Sequence, residues 1–169
     1  MVRSMTRGYL EVNGVLEDVE YVDTGFDTVQ RLLTGEVAAA GGVFSDVVDA
    51  RMQGYEVDVL GIDPTIPSYG HLVSVSEDFA AGNAETVRAF LRATARGAIW
   101  ANNNPSEAID FLVEARPSLE TSRENQRAKW DRLRETYMLS ETVREQGWGW
   151  SSPEPWTETY EILSAGEFI

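Results

Sequence analysis

Cysteine is absent from this 169-residue chain and histidine occurs once, as His71. The first absence excludes disulfides, thiolate nucleophiles and zinc–thiolate sites. The second means that any Ser-His-Asp arrangement has to use His71, and neither a G-x-S-x-G elbow nor an H-E-x-x-H pair accompanies it. A histidine opening a strand is the simpler reading, so no catalytic residue, metal or cofactor is expected. Lysine is almost absent: of 14 basic residues all but Lys129 are arginine, against 28 carboxylates and a net charge of −14. A surface of that sign repels a phosphate backbone and anionic lipid, which disfavours nucleic acid and membrane surfaces as partners. An acidic, lysine-poor surface fits a salt-loving source, where carboxylates keep the protein hydrated. Long apolar runs are missing too. The longest, Val37 to Phe44, is far short of the ~20 residues a membrane helix needs. The opening M-V-R-S-M-T-R-G-Y-L-E-V-N-G has no signal-peptide core or cleavage site, so as written the chain is expected to stay in the cytoplasm.

What is present suits a globular domain, since 43% of residues are apolar. The spacing predicts a helix over Ser4 to Val12 ending at Asn13-Gly14, with Gly8 as a weak point. Asp18 to Val22 alternates like a strand, Thr24-Gly25-Phe26-Asp27 reads as a turn, and Asp27 to Thr34 as a short helix stopped by Gly35. Glu36 to Val43 is a short continuous apolar run ended by Gly41-Gly42, which suits a strand covered on both faces. Ser45 can cap a helix over Asp46 to Gln53 that Gly54 ends. Val57, Val59 and Ile62 give a further strand, Asp63-Pro64 turns it into the loop Ile66-Pro67-Ser68-Tyr69-Gly70, and His71 to Val75 forms another. In an open α/β sheet ligands collect at the loops after the strands' C-terminal ends, here Gly42 to Asp46 and Pro64 to Tyr69.

The period then changes to helical. Asn83 caps a helix with Val87, Phe90, Leu91, Thr94, Ala95, Ala98 and Ile99 on one stripe and Arg88, Arg92 and Arg96 on the other. The arginine stripe reads as a solvated face paired with neighbouring carboxylates. Asn104-Pro105-Ser106-Glu107 is a strong helix start. Thr121 or Ser122 opens a charged helix through Trp130, Leu133 and Tyr137, Ser140 a shorter one ending at Gly147, and Ser152-Pro153-Glu154 a last one through Trp156, Tyr160 and Leu163. The expected division is a strand-rich part, 1–82, and a helical part, 83–169.

The segments N-G-V-L-E-D-V-E-Y-V-D-T-G-F-D, L-L-T-G-E-V-A-A-A-G-G, G-Y-E-V-D-V and I-P-S-Y-G-H-L-V-S-V resemble, in order and spacing, the SsuA/THI5-like (NMT1) substrate-binding proteins of ABC transporters. So do E-T-V-R-A-F-L-R-A-T-A-R-G-A-I-W-A-N-N-N-P-S-E-A and the tail W-S-S-P-E-P-W-T-E-T-Y-E-I-L, although Asn83 stands where the family often has proline. The resemblance implies an α/β fold: the second lobe of a type-II periplasmic-binding-protein-like fold with a helical C-terminal extension, lacking most of the first lobe. It implies a solute-binding component of an ABC importer, a periplasmic or extracellular place, a permease partner, and a thiamine-pyrimidine precursor or similar small nitrogenous compound as solute. One branch of the family makes the thiamine pyrimidine with an iron-associated cysteine-rich motif, which a chain without cysteine lacks. The other alternative is a truncated, non-binding fragment or a protein-interaction module.

Site candidates follow from the same resemblance. Phe44 and Asp46 stand where the pyrimidine-binding branch carries an aromatic residue and an acid, to stack on a ring and accept from its amino group; Gly42, Val43 and Ser45 flank them. The competing reading puts Phe44 in the core and makes Asp46 a helix cap. Tyr69 sits in a loop resembling the family's G-V-P-S-Y, either touching ligand or packing near the hinge. Thr24 lies at the same rim, while Asp27 at a helix start argues against an anionic solute there. Trp148, Trp150 and Trp156 form either an aromatic patch for sugars or amines or a wedge against the missing lobe.

Overall fold

A computed structural model describes residues 2–25, 27–70 and 72–169. The turn residue Phe26 and the histidine His71 lie outside the described residues, as does Met1. The chain forms two compact units, one of residues 1–71 with 152–169 and one of residues 72–151.

The first unit contains α1 (Val2–Val12), α2 (Thr28–Leu33), α3 (Phe44–Met52) and the last helix of the chain, α9 (Pro153–Ala165). Glycines end the first three as expected: Gly14, Gly35 and Gly54 all have positive φ, 68°, 76° and 87°, where an L side chain would be strained. Its core joins α1 to α9 through the loop between them in space: Met5, Ile66 and Leu163 are buried, with Tyr9, Ile62, Ile162 and Phe168 packed around them. Gly8, the weak point of α1 by propensity, is buried here because the helices meet at it. A Cβ at Gly8 would lie 3.1 Å from Ile66 Cδ1 and 3.1 Å from Leu163 Cδ2. Around the outside of α1, the Arg7 guanidinium stacks on Phe168 (5.0 Å) and Tyr21 (5.6 Å), and Arg3 on Tyr21 (5.9 Å). Burial raises the Tyr21 phenol above its ordinary value, with Arg7 and Arg3 pulling the other way.

No strand is present among the described residues, which corrects the four strand expectations. Residues 19–24, 39–43, 56–62 and 72–76 carry no regular structure. The physical reason is pairing. A strand is fixed by ladder hydrogen bonds from a neighbour, and an isolated pair is already marginal in water. None of these stretches has such a neighbour here, so Val19, Val22, Val59, Leu60 (74% exposed), Val73 and Val75 stay exposed. Nor is Glu36 to Val43 covered on two faces: Val43 is exposed, and Gly41 lies against α1, where a Cβ would come within 3.1 Å of Thr6 Oγ1.

The second unit contains α4 (Glu77–Gly82), α5 (Ala84–Asn103), α6 (Pro105–Ala115), α7 (Arg123–Leu133) and α8 (Glu141–Gln146). Ser76 caps α4 by accepting the Phe79 N–H at 3.2 Å. Asn83 stands at the expected cap position of α5, where its carbonyl accepts the Val87 N–H at 3.0 Å, but its side chain makes no cap bond and its amide instead donates to the Phe79 carbonyl of α4 at 3.1 Å. Asn104 similarly donates to the Trp100 carbonyl (2.8 Å) and so closes α5 while Pro105 opens α6. Ile109 and Val113, one turn apart on α6, are buried, as is Met138 in a wide π-type turn after α7. Helix α7 is too polar to be held by an apolar stripe and is tied down side chain by side chain. Arg123 pairs with Asp110 and Glu120, Arg127 with Ser106 (2.8 Å) and Asp131 (2.7 Å), and Arg134 with Asn102 (3.2 Å), while the Trp130 indole donates to the Ala101 carbonyl (3.3 Å). Solvent screens such half-exposed pairs, so each adds little by itself. The arginine stripe of α5 is exposed as expected and Arg88 pairs with Glu85, while among the described residues no ion pair joins Arg92 or Arg96.

The Arg123 hydrogen bond holds the Glu120 carboxyl below its ordinary value of 4.5. A depressed carboxyl stabilises the fold above the unfolded-state value, and that contribution is lost as pH falls through the folded one. Glu120→Gln is therefore expected to lower helix protection in this unit slightly at pH 7 and to match the parent once pH has fallen through the folded-state value of Glu120. Hydrogen exchange across α6 and α7 checks this, and a gap that persists in acid would contradict it.

The surface area is large for the mass. The chain exposes 12300 Å², whereas 18.8 kDa folded as two separate half-sized domains would expose about 10,000 Å² and as one domain about 8,300 Å². Large apolar side chains are exposed in both units, among them Leu60 in the first and Phe111 in the second.

Candidate functional site

The loop after residue 61 is built onto α9. Asp63-Pro64 makes a tight turn, with the Thr65 and Ile66 N–H groups donating to the Ile62 carbonyl at 2.9 and 2.8 Å. That turn drives Ile66 into the core, where it is 0% exposed. The Pro67 carbonyl then accepts from the Thr159 hydroxyl, and the Tyr69 hydroxyl accepts the Ser152 N–H at 2.8 Å. This last bond satisfies a backbone donor at the start of α9, where intrahelical partners are lacking. The Tyr69 ring packs on Trp156 with centroids 5.3 Å apart at 35°. Glu154, in the first turn of α9, has its carboxyl held below the ordinary range by the Ser152 hydroxyl and by a backbone N–H.

The other candidates sit in local arrangements of their own. Phe44 is the first residue of α3 and half-buried; Val43, not Ser45, occupies the capping position, so Ser45 lies within the first turn. Asp46 accepts the Val43 N–H at 2.8 Å, the capping role weighed for it above. Gly42 leaves room for that carboxylate, since a Cβ there would lie 2.7 Å from Asp46 Oδ2. The Thr24 hydroxyl shares a hydrogen bond with the Thr28 hydroxyl at the start of α2. Asp46, Thr24 and Tyr69 thus use their polar groups on three different partners, Val43, Thr28 and Ser152. The pairing of Tyr69 with Trp156 had no signal in the sequence, where the two lie 87 positions apart.

Two shallow grooves open on the units. One, of about 440 Å³, runs along the Arg–carboxylate contacts of α6 and α7 and includes Ser106, Ile109, Arg123 and Arg127. The other, of about 640 Å³, follows Arg51 and residues 54–58. Neither is lined by the candidates named above. Among the described residues no group of His, Asp or Glu side chains is arranged to hold a metal ion, and no helix is long and apolar enough to cross a membrane.

Comparison with known proteins supplies the wider setting. Residues 2–108 match the family model described as NMT1/THI5 like. The chain is 28% identical over 153 residues to the riboflavin-binding protein RibY of Chloroflexus aurantiacus, covering 90% of this chain and 44% of that protein. It is 28% identical over 104 residues to a formylaminopyrimidine-binding protein of Halalkalibacterium halodurans, covering 59% of this chain and 32% of that one. The chain thus spans less than half the length of the curated relatives it matches. No solved structure matches it. With the family model covering well over half of its residues, the chain belongs to the NMT1/THI5-like family.

Proposed function

We propose that this chain belongs to the solute-binding component of an ABC importer and takes a small, neutral, nitrogen-rich heterocycle of the thiamine-pyrimidine kind. The observation that carries the reading is the family match, together with two relatives that are both named as binding proteins for nitrogen heterocycles. The electrostatics agree with a neutral solute, since Asp27 and Asp46 stand at the starts of α2 and α3 and would repel an anion there. Capture rather than chemistry is the mechanism: a complementary lobe closes on the solute outside the cell membrane and the closed form docks on a permease. Phe44, Ser45, Asp46, Tyr69, Gly42 and Thr24 are the proposed contacts, with Phe44 and Tyr69 offering ring faces and Asp46 accepting from an amino group. The acidic, lysine-poor surface suits work in molar potassium chloride.

A thermal-shift series in that salt tests the reading, with formylaminopyrimidine, riboflavin, thiamine, taurine and nitrate as ligands. Binding to the native state raises the melting point by mass action, about 2.7 kcal/mol of added stability at a hundred times Kd. One of the heterocycles is expected to shift the melt, and Phe44→Ala, Asp46→Asn and Tyr69→Ala to abolish the shift. A second reading, a non-binding fragment or interaction module, is favoured by the excess surface and the partial span of the relatives. A cooperative melt that no ligand moves would select it.

A further inference from the structure

We infer that Trp156 and Tyr160 of α9 extend Tyr69 into a stacking face for a flat heteroaromatic ring. The inference rests on the solute-binding reading and adds to it residues from the end of the chain. Three features of the first unit support it.

The face is aromatic and open. Trp156 is 46% exposed and already paired with Tyr69, and Tyr160, 65% exposed, stands one helical turn further along α9. Residues four apart on a helix share a face, so the Trp156 and Tyr160 rings lie on the same side of α9. The face is also held rigid. Ile66 is locked in the core, the Pro67 carbonyl is bonded to Thr159 of α9, and the Tyr69 hydroxyl is bonded to the Ser152 N–H. Loop and helix therefore move as one piece and the rings are positioned before a ligand arrives, which lowers the ordering cost of binding. Finally, the chemistry is selective. The exposed parts of the Trp156 and Tyr160 rings offer π-faces to a flat heterocycle, and an offset-stacked pair gains beyond its buried area. The chain's net charge of −14 favours a neutral or amino-bearing ring over a phosphorylated one.

The test uses the full chain with riboflavin as a fluorescent probe, so that flavin quenching reports stacking, and calorimetry with formylaminopyrimidine as a second probe. Removing one stacking ring typically weakens binding by about 5- to 150-fold. Trp156→Ala is expected to show a loss in that range with flavin quenching gone, Trp156→Phe to keep most of the affinity, and Tyr160→Ala to fall between them. Tyr160 is largely exposed, so Tyr160→Ala and Trp156→Phe carry the test even where Trp156→Ala fails to fold. If the parent binds either probe and Trp156→Ala and Tyr160→Ala bind it equally well, the stacking face is overturned while the solute-binding reading stands. If the parent binds neither probe at millimolar concentration, both fall together.

Discussion

Replacing Ile66 by alanine is expected to cost the first unit about 2–5 kcal/mol, the range for truncating a fully buried aliphatic side chain whose surroundings relax only in part. Ile66 is 0% exposed, and its δ-methyl lies against the backbone of α1 at Gly8. Loss of that methyl and its neighbours leaves a gap between α1, α9 and the loop, which no nearby flexible side chain of the unit other than Met5 could enter. A local readout is required, because two units need not unfold together. Amide exchange supplies one: protection of α1 and α9 should fall by about 30- to 5,000-fold where exchange goes through opening of this unit. Protection of α5, α6 and α7 should stay as it was. Uniform loss over the whole chain would mean that the units are not independently stable, and no loss at all would mean that the α1–α9 core is not formed in solution. The same substitution frees the 66–69 loop, so the aromatic face carried by Tyr69 should lose its fixed geometry along with the core.

The elements that could be read from the sequence are those whose cause is local. Asn104-Pro105, Ser140 and Ser152-Pro153 mark helix starts, and Gly14, Gly35, Gly54 and Gly147 mark stops; all seven points are where helices begin or end. Even so, α4 was not foreseen. Its signal was present in Ser76-Glu77-Asp78, a cap followed by acids in the first turn, but six residues carry too little periodicity to stand out. Strands are where the reading diverged, because alternation says which side chains share a face and nothing about who pairs with the backbone. Val57, Val59 and Ile62 alternate as a strand should, and without a ladder partner they form none. The candidate site divides the same way. The ring-bearing and acidic residue types were visible at Phe44, Asp46 and Tyr69, and Asp46 even shows its capping role. What could not be seen was that a C-terminal helix returns to Tyr69, since Ser152 and Trp156 reach it only through the packing of α9 on α1.

That packing yields the second large effect, at Gly8. Helix propensity alone favours alanine over glycine in mid-helix by up to about 1 kcal/mol, so Gly8→Ala would stabilise an isolated α1. In the folded unit the new Cβ meets Ile66 Cδ1 and Leu163 Cδ2 at 3.1 Å each, closer than relaxed carbon contacts of about 3.5–4.0 Å. Both neighbours belong to the buried core and are pinned from two sides, so they can give only by a few tenths of an ångström. The two terms oppose, and Gly8→Ala is expected to come out near neutral. Gly8→Leu has no such balance. Its added carbons must push α1 away from α9, at a cost of about 1–3 kcal/mol for an overpacked core, and they would strip Leu163 and Ile66 of their cover. Urea unfolding followed through far-ultraviolet ellipticity should show the ordering parent ≈ Gly8→Ala > Gly8→Leu. Exchange protection in α1 and α9 should identify the affected unit. A Gly8→Leu variant as stable as the parent would show that α1 does not approach α9 at this glycine. The loop that presents Tyr69 would then depend on its hydrogen bonds to Ser152 and Thr159 and on the packing of Tyr69 against Trp156.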